Sequence, residues 1–248
     1  MKTRVIVTVN VRKPELLETA TLTLRSVRVG FPTAEIIVAS TSRDVTFLDP
    51  LLSRTHAIGA RYQEVPGEHY RVLNKFTSDP HRYGQEQTIF LDSDLIFYEN
   101  CEGWDFSRAL AGHRIPEHVS HYTQCVTAGR LHTSFLVVNQ IRLEEELNAA
   151  GVEVREFAPV HLWRPQMLYH HARPMFYDTA SNLFQAIGGA QFTPEQLDCY
   201  THIFCGSARD VAKQHLPAET YRTMEAAHEL ALRAPNQLRG FWRQLTWV

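Results

Sequence analysis

The sequence predicts an α/β fold, in which a mostly parallel sheet is flanked by helices, and two observations support this prediction. First, residues 4–9 alternate as a strand, residues 14–29 have helical apolar spacing, and residues 34–39 form an apolar run. This β–α–β order is typical of parallel strands joined by a right-handed crossover. Second, residues 88–91 and 135–138 are continuous apolar runs, which are typical of strands buried on both faces.

Helix boundaries follow from prolines and glycines. The first helix begins near Pro14, which suits a first turn because proline lacks a backbone N–H, and Gly30 ends it. Further helices are predicted over residues 68–78, 142–150, 178–188 and 218–233. Glycines follow two of them, at Gly151 and Gly188, and prolines predict loops and short strands over residues 152–176. We see no repeat or linker, so residues 1–248 are expected to form a single domain.

Composition excludes several classes of protein. With 44% hydrophobic and 21% charged residues, the 248-residue chain has the composition of a globular protein. Its 25 basic and 27 acidic residues create no basic field that would attract nucleic acid. No apolar stretch approaches the ~18 residues that span a bilayer, and the four cysteines have no metal-site spacing. We expect reduced thiols, no transmembrane segment, and a cytoplasmic location, in solution or at the membrane surface.

An acidic pair follows the strongest predicted strand, residues 88–91. Asp92, Ser93 and Asp94 stand at its carboxyl end, the edge of an open α/β sheet where ligands bind. Alternate residues of an extended segment point to one side, so both carboxylates can converge on a single cation. Carboxylate oxygens suit Mg²⁺ or Mn²⁺. The alternative is an exposed turn, in which Asp and Ser are favoured for local hydrogen bonding.

A second candidate motif lies near the other end of the chain. His202 offers an imidazole, a good ligand for Mn²⁺, and could complete a site begun by the acidic pair. Gly206 would let the backbone approach a phosphate, and Ser207 could donate a hydrogen bond to it. A lone histidine in a half-buried loop is the alternative interpretation.

With these motifs, the chain resembles the GT-A class of nucleotide-sugar-dependent glycosyltransferases. Residues 5–40 are similar to the nucleotide-binding β–α–β start of family-2 enzymes, and residues 90–95, FLDSDL, resemble the DxD motif. Residues 130–139 are similar to the segment entering an acceptor-side strand, and residues 202–207 to the His-x-x-Gly element of the glycogenin-like group. The resemblance implies a GT-A type, Rossmann-like sheet. Its nucleotide-binding half would span about residues 1–100, and its acceptor-binding half about residues 101–248.

The resemblance also implies roles for individual residues. Asp92, Asp94 and His202 would hold Mn²⁺ or Mg²⁺. The nucleotide and its phosphates would contact Val9, Asn10, Val11, Arg71, Asn74, Lys75, Asp92, Ser93, Gly206 and Ser207. The chain departs from the glycogenin-like pattern because no Lys-Pro-Trp follows Gly206, so Arg209 or Lys213 would replace it as the phosphate clamp.

Candidates for chemistry on the acceptor are fewer. An inverting transfer needs a general base, for which Asp178 is the best local candidate, whereas a retaining transfer needs none. The alternative for Asp178 is a helix N-cap. Candidate ligands for acceptor hydroxyls are His132, His170 and His171. Tryptophan is more typical of a core than of a sugar-stacking platform, and among Trp104, Trp163 and Trp242 the proline-flanked Trp163 is the best exception.

The resemblance implies a glycosyltransferase of hexosyltransferase type that moves a sugar from a nucleoside-diphosphate donor, with UDP favoured over GDP. The acceptor would be a hydroxyl of a glycan, a lipid-linked sugar or a small molecule. An inactive relative that only binds a nucleotide sugar or carbohydrate is the alternative. A DxD phosphohydrolase is disfavoured because Ile96 stands where that class has Thr or Val. A nucleotidyltransferase is disfavoured because residues 7–15 contain no glycine. Donor sugar, stereochemistry and oligomeric state are not predicted.

Overall fold

The computed structural model describes residues 3–42, 44–77, 87–119, 126–153, 156–157, 169–170, 173–176, 179–203 and 218–241. The strands are β1 (Thr3–Val9), β2 (Glu35–Ser40), β3 (Arg61–Glu64), β4 (Gln87–Asp92), β5 (Leu95–Phe97), β6 (Leu110–Ile115), β7 (His118–Val119), β8 (Val126–Thr127), β9 (Arg130–Asn139), β10 (Tyr169–His170), β11 (Arg173–Phe176), β12 (Ala190–Gln191) and β13 (Tyr200–His202). The helices are α1 (Pro14–Gly30), α2 (Leu48–Ala57), α3 (His69–Thr77), α4 (Gln140–Ala149), α5 (Ser181–Ile187), α6 (Pro194–Leu197) and α7 (Ala218–Arg233), and a 3₁₀ turn follows at Pro235–Leu238.

A seven-stranded sheet has the order β12-β6-β9-β4-β1-β2-β3. Strand β9 is antiparallel to both of its neighbours, and the other six strands run in one direction. The mostly parallel, Rossmann-like sheet predicted from the sequence is therefore confirmed. The apolar run at residues 135–138 is a buried strand, as predicted, but it belongs to the antiparallel β9. An apolar run indicates that a strand is buried on both faces of a sheet, but it does not indicate the direction of the strand.

The strand order reverses beside β1. From β1 the chain proceeds through β2 to β3 on one side, and then returns to β4 on the other side of β1. Such a switch point opens a crevice at the carboxyl ends of the two central strands, where α/β proteins bind ligands. In the β1–β4 register, Thr8 pairs with Asp92, so the acidic pair lies at this crevice.

Helices cover both faces of the sheet. Side chains of β1 alternate between the two faces, and the apolar residues on each face pack against helices. Val5 and Val7 belong to a core cluster that includes Leu24 of α1. Ile6 points to the opposite face, into a cluster that includes Phe76 of α3 and Leu147 of α4. Helix α7 packs outside α1, where His228 lies 3.2 Å from the hydroxyl of Thr19.

The predicted helices are present with small boundary differences. Helices α1, α3, α4, α5 and α7 match the five predicted segments, although α5 begins at Ser181 and the predicted start, residue 178, lies outside the described residues. Helix α2 and strands β3, β6 and β13 were not predicted. The three strands show no alternating or continuous apolar pattern, since β3 is RYQE and β6 and β13 each mix apolar with polar residues. Pairing with neighbouring strands, and not local pattern, makes them strands.

Trp104 is partly buried and packs against the core, in line with the core role predicted for it. Its ring stacks on Phe135, with centroids 5.7 Å apart and planes inclined by 12°, and it also packs edge-on against Phe192. Trp163 and Trp242 lie outside the described residues. Cys101 and Cys199 are free, buried thiols, and burial raises the pKa of each. Within the described ranges, no helix is both long and apolar enough to cross a bilayer.

Candidate metal and nucleotide site

Three side chains predicted to bind a metal lie together at the switch-point crevice. Asp92, Asp94 and His202 each present one ligand atom, and these atoms all lie within 4.8 Å of one another. Nε2 of His202 lies 3.0 Å from Oδ1 of Asp94. Two carboxylates and one imidazole form a donor set that suits Mn²⁺, since carboxylates alone favour Mg²⁺ or Ca²⁺ and imidazole favours later transition metals. The donor chemistry therefore fits a divalent cation.

A two-stranded ribbon brings His202 to the acidic pair. Asp92 ends β4, and the turn through Asp94 leads directly into β5. Strand β13 pairs antiparallel with β5, so that His202 lies opposite Leu95, and the N–H of Ile203 donates to the carbonyl of Asp94 at 2.8 Å. The N–H of Leu95 donates to the buried hydroxyl of Thr23 on α1 at 3.0 Å. This turn is therefore anchored to both α1 and β13.

Opposing influences set the charge of His202. Burial lowers its pKa, but the attraction of Asp94, a hydrogen bond to Asp94 and the charge of Asp92 together outweigh burial and raise the pKa. The imidazole of His202 therefore gains a proton more readily than an ordinary histidine when no cation is present. Only the neutral imidazole can coordinate a metal, so proton and cation compete for this nitrogen.

Two further histidines, His132 on β9 and His113 on β6, are close enough to His202 for its charge to act on them. The rings of His132 and His202 meet edge-on, with centroids 5.0 Å apart. Burial, followed by the nearby charge of His202, lowers the pKa of His132 well below its usual range and also lowers the pKa of His113. Nδ1 of His132 accepts the N–H of Ser134 at 3.0 Å, so a neutral His132 carries its proton on Nε2. No local sequence pattern pointed to His113, which lies where the β6–β9 register shifts.

A pocket of about 330 Å³ adjoins the acidic pair. Thr8, Asn10 and Arg12 line it from the carboxyl end of β1, Thr41 from the end of β2, and residues 67–69 from the start of α3. Of the predicted nucleotide contacts, Asn10, Asp92 and Ser93 line this pocket. Arg12 was missed by the sequence analysis, and its Nε donates to Oδ1 of Asn10 at 2.9 Å.

Other predicted contacts stand apart from this lining. Val9 and Val11 are buried in the core beside the pocket. Arg71 and Lys75, on α3, do not line the pocket. The Arg71 side chain lies beside Gly67, which does line it. A role for these four residues in nucleotide binding stays a prediction. Asp178, Gly206, Ser207, His171, Arg209 and Lys213, together with the side chain of His170, lie outside what the structure describes, so their roles also stay predictions.

Asn74 is engaged by the main chain. Its Nδ2 donates to the carbonyl of Phe157 at 3.0 Å, and its Oδ1 accepts the N–H of Phe157 at 2.7 Å. Phe157 is fully buried. The Asn74 amide therefore satisfies both backbone groups of Phe157 and does not line the pocket, which differs from the nucleotide contact that the sequence resemblance implied.

Asn74→Ala should lower the free energy of unfolding by about 1–3 kcal/mol, because it leaves the backbone groups of Phe157 without partners. Urea unfolding measures this loss. Asn74→Asp can still accept the Phe157 N–H, but it places a carboxylate oxygen against the Phe157 carbonyl and should also lose stability. We expect nucleotide affinity, measured by calorimetry, to change by less than about twofold in both variants. Lost nucleotide affinity with unchanged stability would instead make Asn74 a ligand.

Comparison with protein-family models and with curated protein sequences finds no match. Solved structures are similar in fold. The chain is similar to the bifunctional glycosyltransferase WbbM (TM-score 0.45, 10% identity, 92% of this chain and 44% of that one). It is also similar to the galactosyltransferase LgtC, solved with donor and acceptor sugar analogues (TM-score 0.43, 12% identity, 96% of this chain and 99% of that one). A cytidylyltransferase from Leptospira borgpetersenii is similar over a shorter part (TM-score 0.37, 9% identity, 60% of this chain and 64% of that one).

The chain therefore spans less than half of WbbM and under two thirds of the cytidylyltransferase, and all three similarities concern the fold. The fold class rests on the structure itself. Six parallel strands and one antiparallel strand, with Asp-Ser-Asp at the switch point between β1 and β4, form the mostly parallel, Rossmann-like sheet that the sequence predicted.

Proposed function

We propose that this protein is a metal-dependent glycosyltransferase that moves a sugar from a nucleoside-diphosphate donor, preferably a UDP-sugar, to a hydroxyl acceptor. One observation supports this function most directly: Asp92, Asp94 and His202 converge beside a pocket at the switch point of the sheet. A cation site next to a polar pocket is what a nucleoside diphosphate requires, because its diphosphate carries negative charge and its ribose and base offer hydrogen-bonding groups.

Different residues of the pocket would bind different parts of the donor. Asn10 and Thr8, at the end of β1, and Thr41, at the end of β2, offer hydrogen-bonding groups for a base and ribose. Arg12 adds a positive charge at the same wall, suited to the phosphates. Asp92, Asp94 and His202 would hold Mn²⁺ or Mg²⁺, which supplies positive charge that stabilises the departing nucleoside diphosphate.

The acceptor is proposed to approach from the side of β6 and β9. His132 faces His202 there as a neutral imidazole with its proton on Nε2, and can donate a hydrogen bond to a substrate oxygen. If the transfer inverts configuration, Asp178 is our proposed general base. The proposed acceptor is a hydroxyl of a glycan, a lipid-linked sugar or a small molecule. Organisation as a single domain and a cytoplasmic location stay predictions from the sequence.

Calorimetry with UDP, GDP and CTP, each in Mn²⁺ and in EDTA, tests this function. We expect UDP to bind at least about tenfold more tightly with Mn²⁺, since the cation joins the carboxylates to the diphosphate. Mass spectrometry of UDP-sugar mixtures with candidate acceptors would then detect transfer. Metal-dependent UDP binding without transfer to any acceptor would favour a binding protein. Preference for CTP with release of pyrophosphate would favour a nucleotidyltransferase, and binding of no nucleotide would refute the proposal.

A further inference from the structure

Each of the two carboxylates in the proposed cation site lies close to a different histidine. His202 lies 3.0 Å from Asp94, and on the other side Nε2 of His69 lies 3.4 Å from Oδ1 of Asp92. The two histidines come from different parts of the fold, because His69 begins α3 whereas His202 ends β13. The resemblance to known glycosyltransferases assigned no role to His69.

The environment of His69 is unusual for a surface histidine. Its side chain is 26% exposed and lines the pocket, yet Nε2 itself is fully buried. Within the described ranges this nitrogen makes no hydrogen bond of normal geometry, and the carboxylate of Asp92 is the ion-pair partner found for it. Buried polar atoms are normally satisfied, so an atom held in this way against a candidate metal ligand calls for a functional explanation.

Two roles fit a histidine at this position. It could coordinate the cation directly, or it could donate Nε2–H to Asp92 and orient that carboxylate. The ligand atoms that lie within 4.8 Å of one another belong to Asp92, Asp94 and His202, and His69 is not in that set. Its contact is with the carboxylate. Metal-binding carboxylates are commonly oriented by such an outer hydrogen bond, and loss of the outer partner typically costs metal affinity.

We propose that His69 is a positioning residue for the cation site: its Nε2–H holds the carboxylate of Asp92 in the orientation that binds the metal. This inference rests on the proposed function. Gly67 and Glu68, which precede His69, line the same pocket, so His69 also connects the pocket wall at the start of α3 to the cation site.

Electron paramagnetic resonance with Mn²⁺ alone tests this role without nucleotide or activity. We expect His69→Ala to weaken Mn²⁺ binding by about 10–100-fold. His69→Gln, which keeps an N–H donor, should restore affinity to within about threefold of wild type. The unfolding midpoint in EDTA should be unchanged in both variants. The matched control is His56→Ala, which removes an exposed histidine on α2 and should leave Mn²⁺ affinity unchanged.

Pulsed resonance of the bound Mn²⁺ separates the two roles of His69, because coupling to ¹⁴N reports directly coordinated nitrogen. We expect one coupled histidine nitrogen in wild type and in His69→Ala, and none in His202→Gln. Two nitrogens in wild type, falling to one in His69→Ala, would overturn the positioning role in favour of direct coordination. Wild-type affinity in His69→Ala would overturn it too, whereas wild-type protein that binds no Mn²⁺ would refute the proposed function itself.

Discussion

Asp94→Asn should remove metal-dependent nucleotide binding and leave the protein folded. Asp94 is 5% exposed and shares the cation site with Asp92 and His202. Asparagine has nearly the same shape but lacks the negative charge that a divalent cation requires. We expect Mn²⁺ affinity to fall by more than about 100-fold, a larger effect than the loss of an outer partner. UDP binding in Mn²⁺ should then fall to the level seen in EDTA, and sugar transfer should be lost with it.

Calorimetry of Mn²⁺ and of UDP, with circular dichroism to confirm folding, measures this effect. Asp105→Asn is the matched control, because Asp105 is 73% exposed and does not belong to the cation site. It should bind Mn²⁺ and UDP as wild type does. A folded Asp94→Asn variant that still bound UDP more tightly in Mn²⁺ than in EDTA would exclude Asp94 as a metal ligand.

Phe135→Ala should cause a large loss of stability. The Phe135 ring is 1% exposed and lies among several aromatic rings, with centroid distances of 4.8 Å to Tyr200, 5.0 Å to Phe192 and 5.7 Å to Trp104. Truncation would leave a cavity that these rigid rings fill poorly. We expect a loss of about 3–5 kcal/mol in the free energy of unfolding, measured in urea. The thermal midpoint should fall by about 10 °C.

Two controls accompany Phe135→Ala. Phe135→Leu keeps most of the buried volume, and should lose only about 1–2 kcal/mol. Val45→Ala removes methyl groups from a side chain that is 74% exposed, and should change stability by less than about 0.5 kcal/mol. A loss below about 1 kcal/mol for Phe135→Ala would mean that this aromatic cluster does not hold β9 and β13 together.

Local patterns were enough to predict the elements that form the crevice. The apolar alternation of β1, the spacing of α1 and the apolar run of β4 are each contained in a short stretch of sequence. Because a carboxyl-end position follows from chain direction alone, the sequence also placed Asp92 and Asp94 at the ligand-binding edge. The structure agrees, since Asp92 pairs with Thr8 beside the switch point.

Side-chain direction on a helix was harder to predict. Asn74 and His69 both lie on α3, and the resemblance to known enzymes implied nucleotide contacts from Arg71, Asn74 and Lys75 but none from His69. In the structure Asn74 turns to Phe157, and His69 at the start of the same helix lies against Asp92. Which side of a helix faces a site depends on how the helix packs on the sheet, and that packing involves residues distant in the sequence.

By itself, the sequence determined the α/β class, the strand–helix–strand opening and the presence of two carboxylates at a strand end, because each depends on neighbouring residues. The resemblance to known enzymes implied His202 as the third metal ligand. Only the tertiary structure decided that β9 runs antiparallel, that β13 pairs with β5 and so carries His202 to Asp94, and that His69 lies against Asp92. Strand pairing joins residues that are far apart in the chain, and its register is set by the packing of the whole sheet. A short strand such as Tyr200–His202 has too few residues to show such pairing as a pattern.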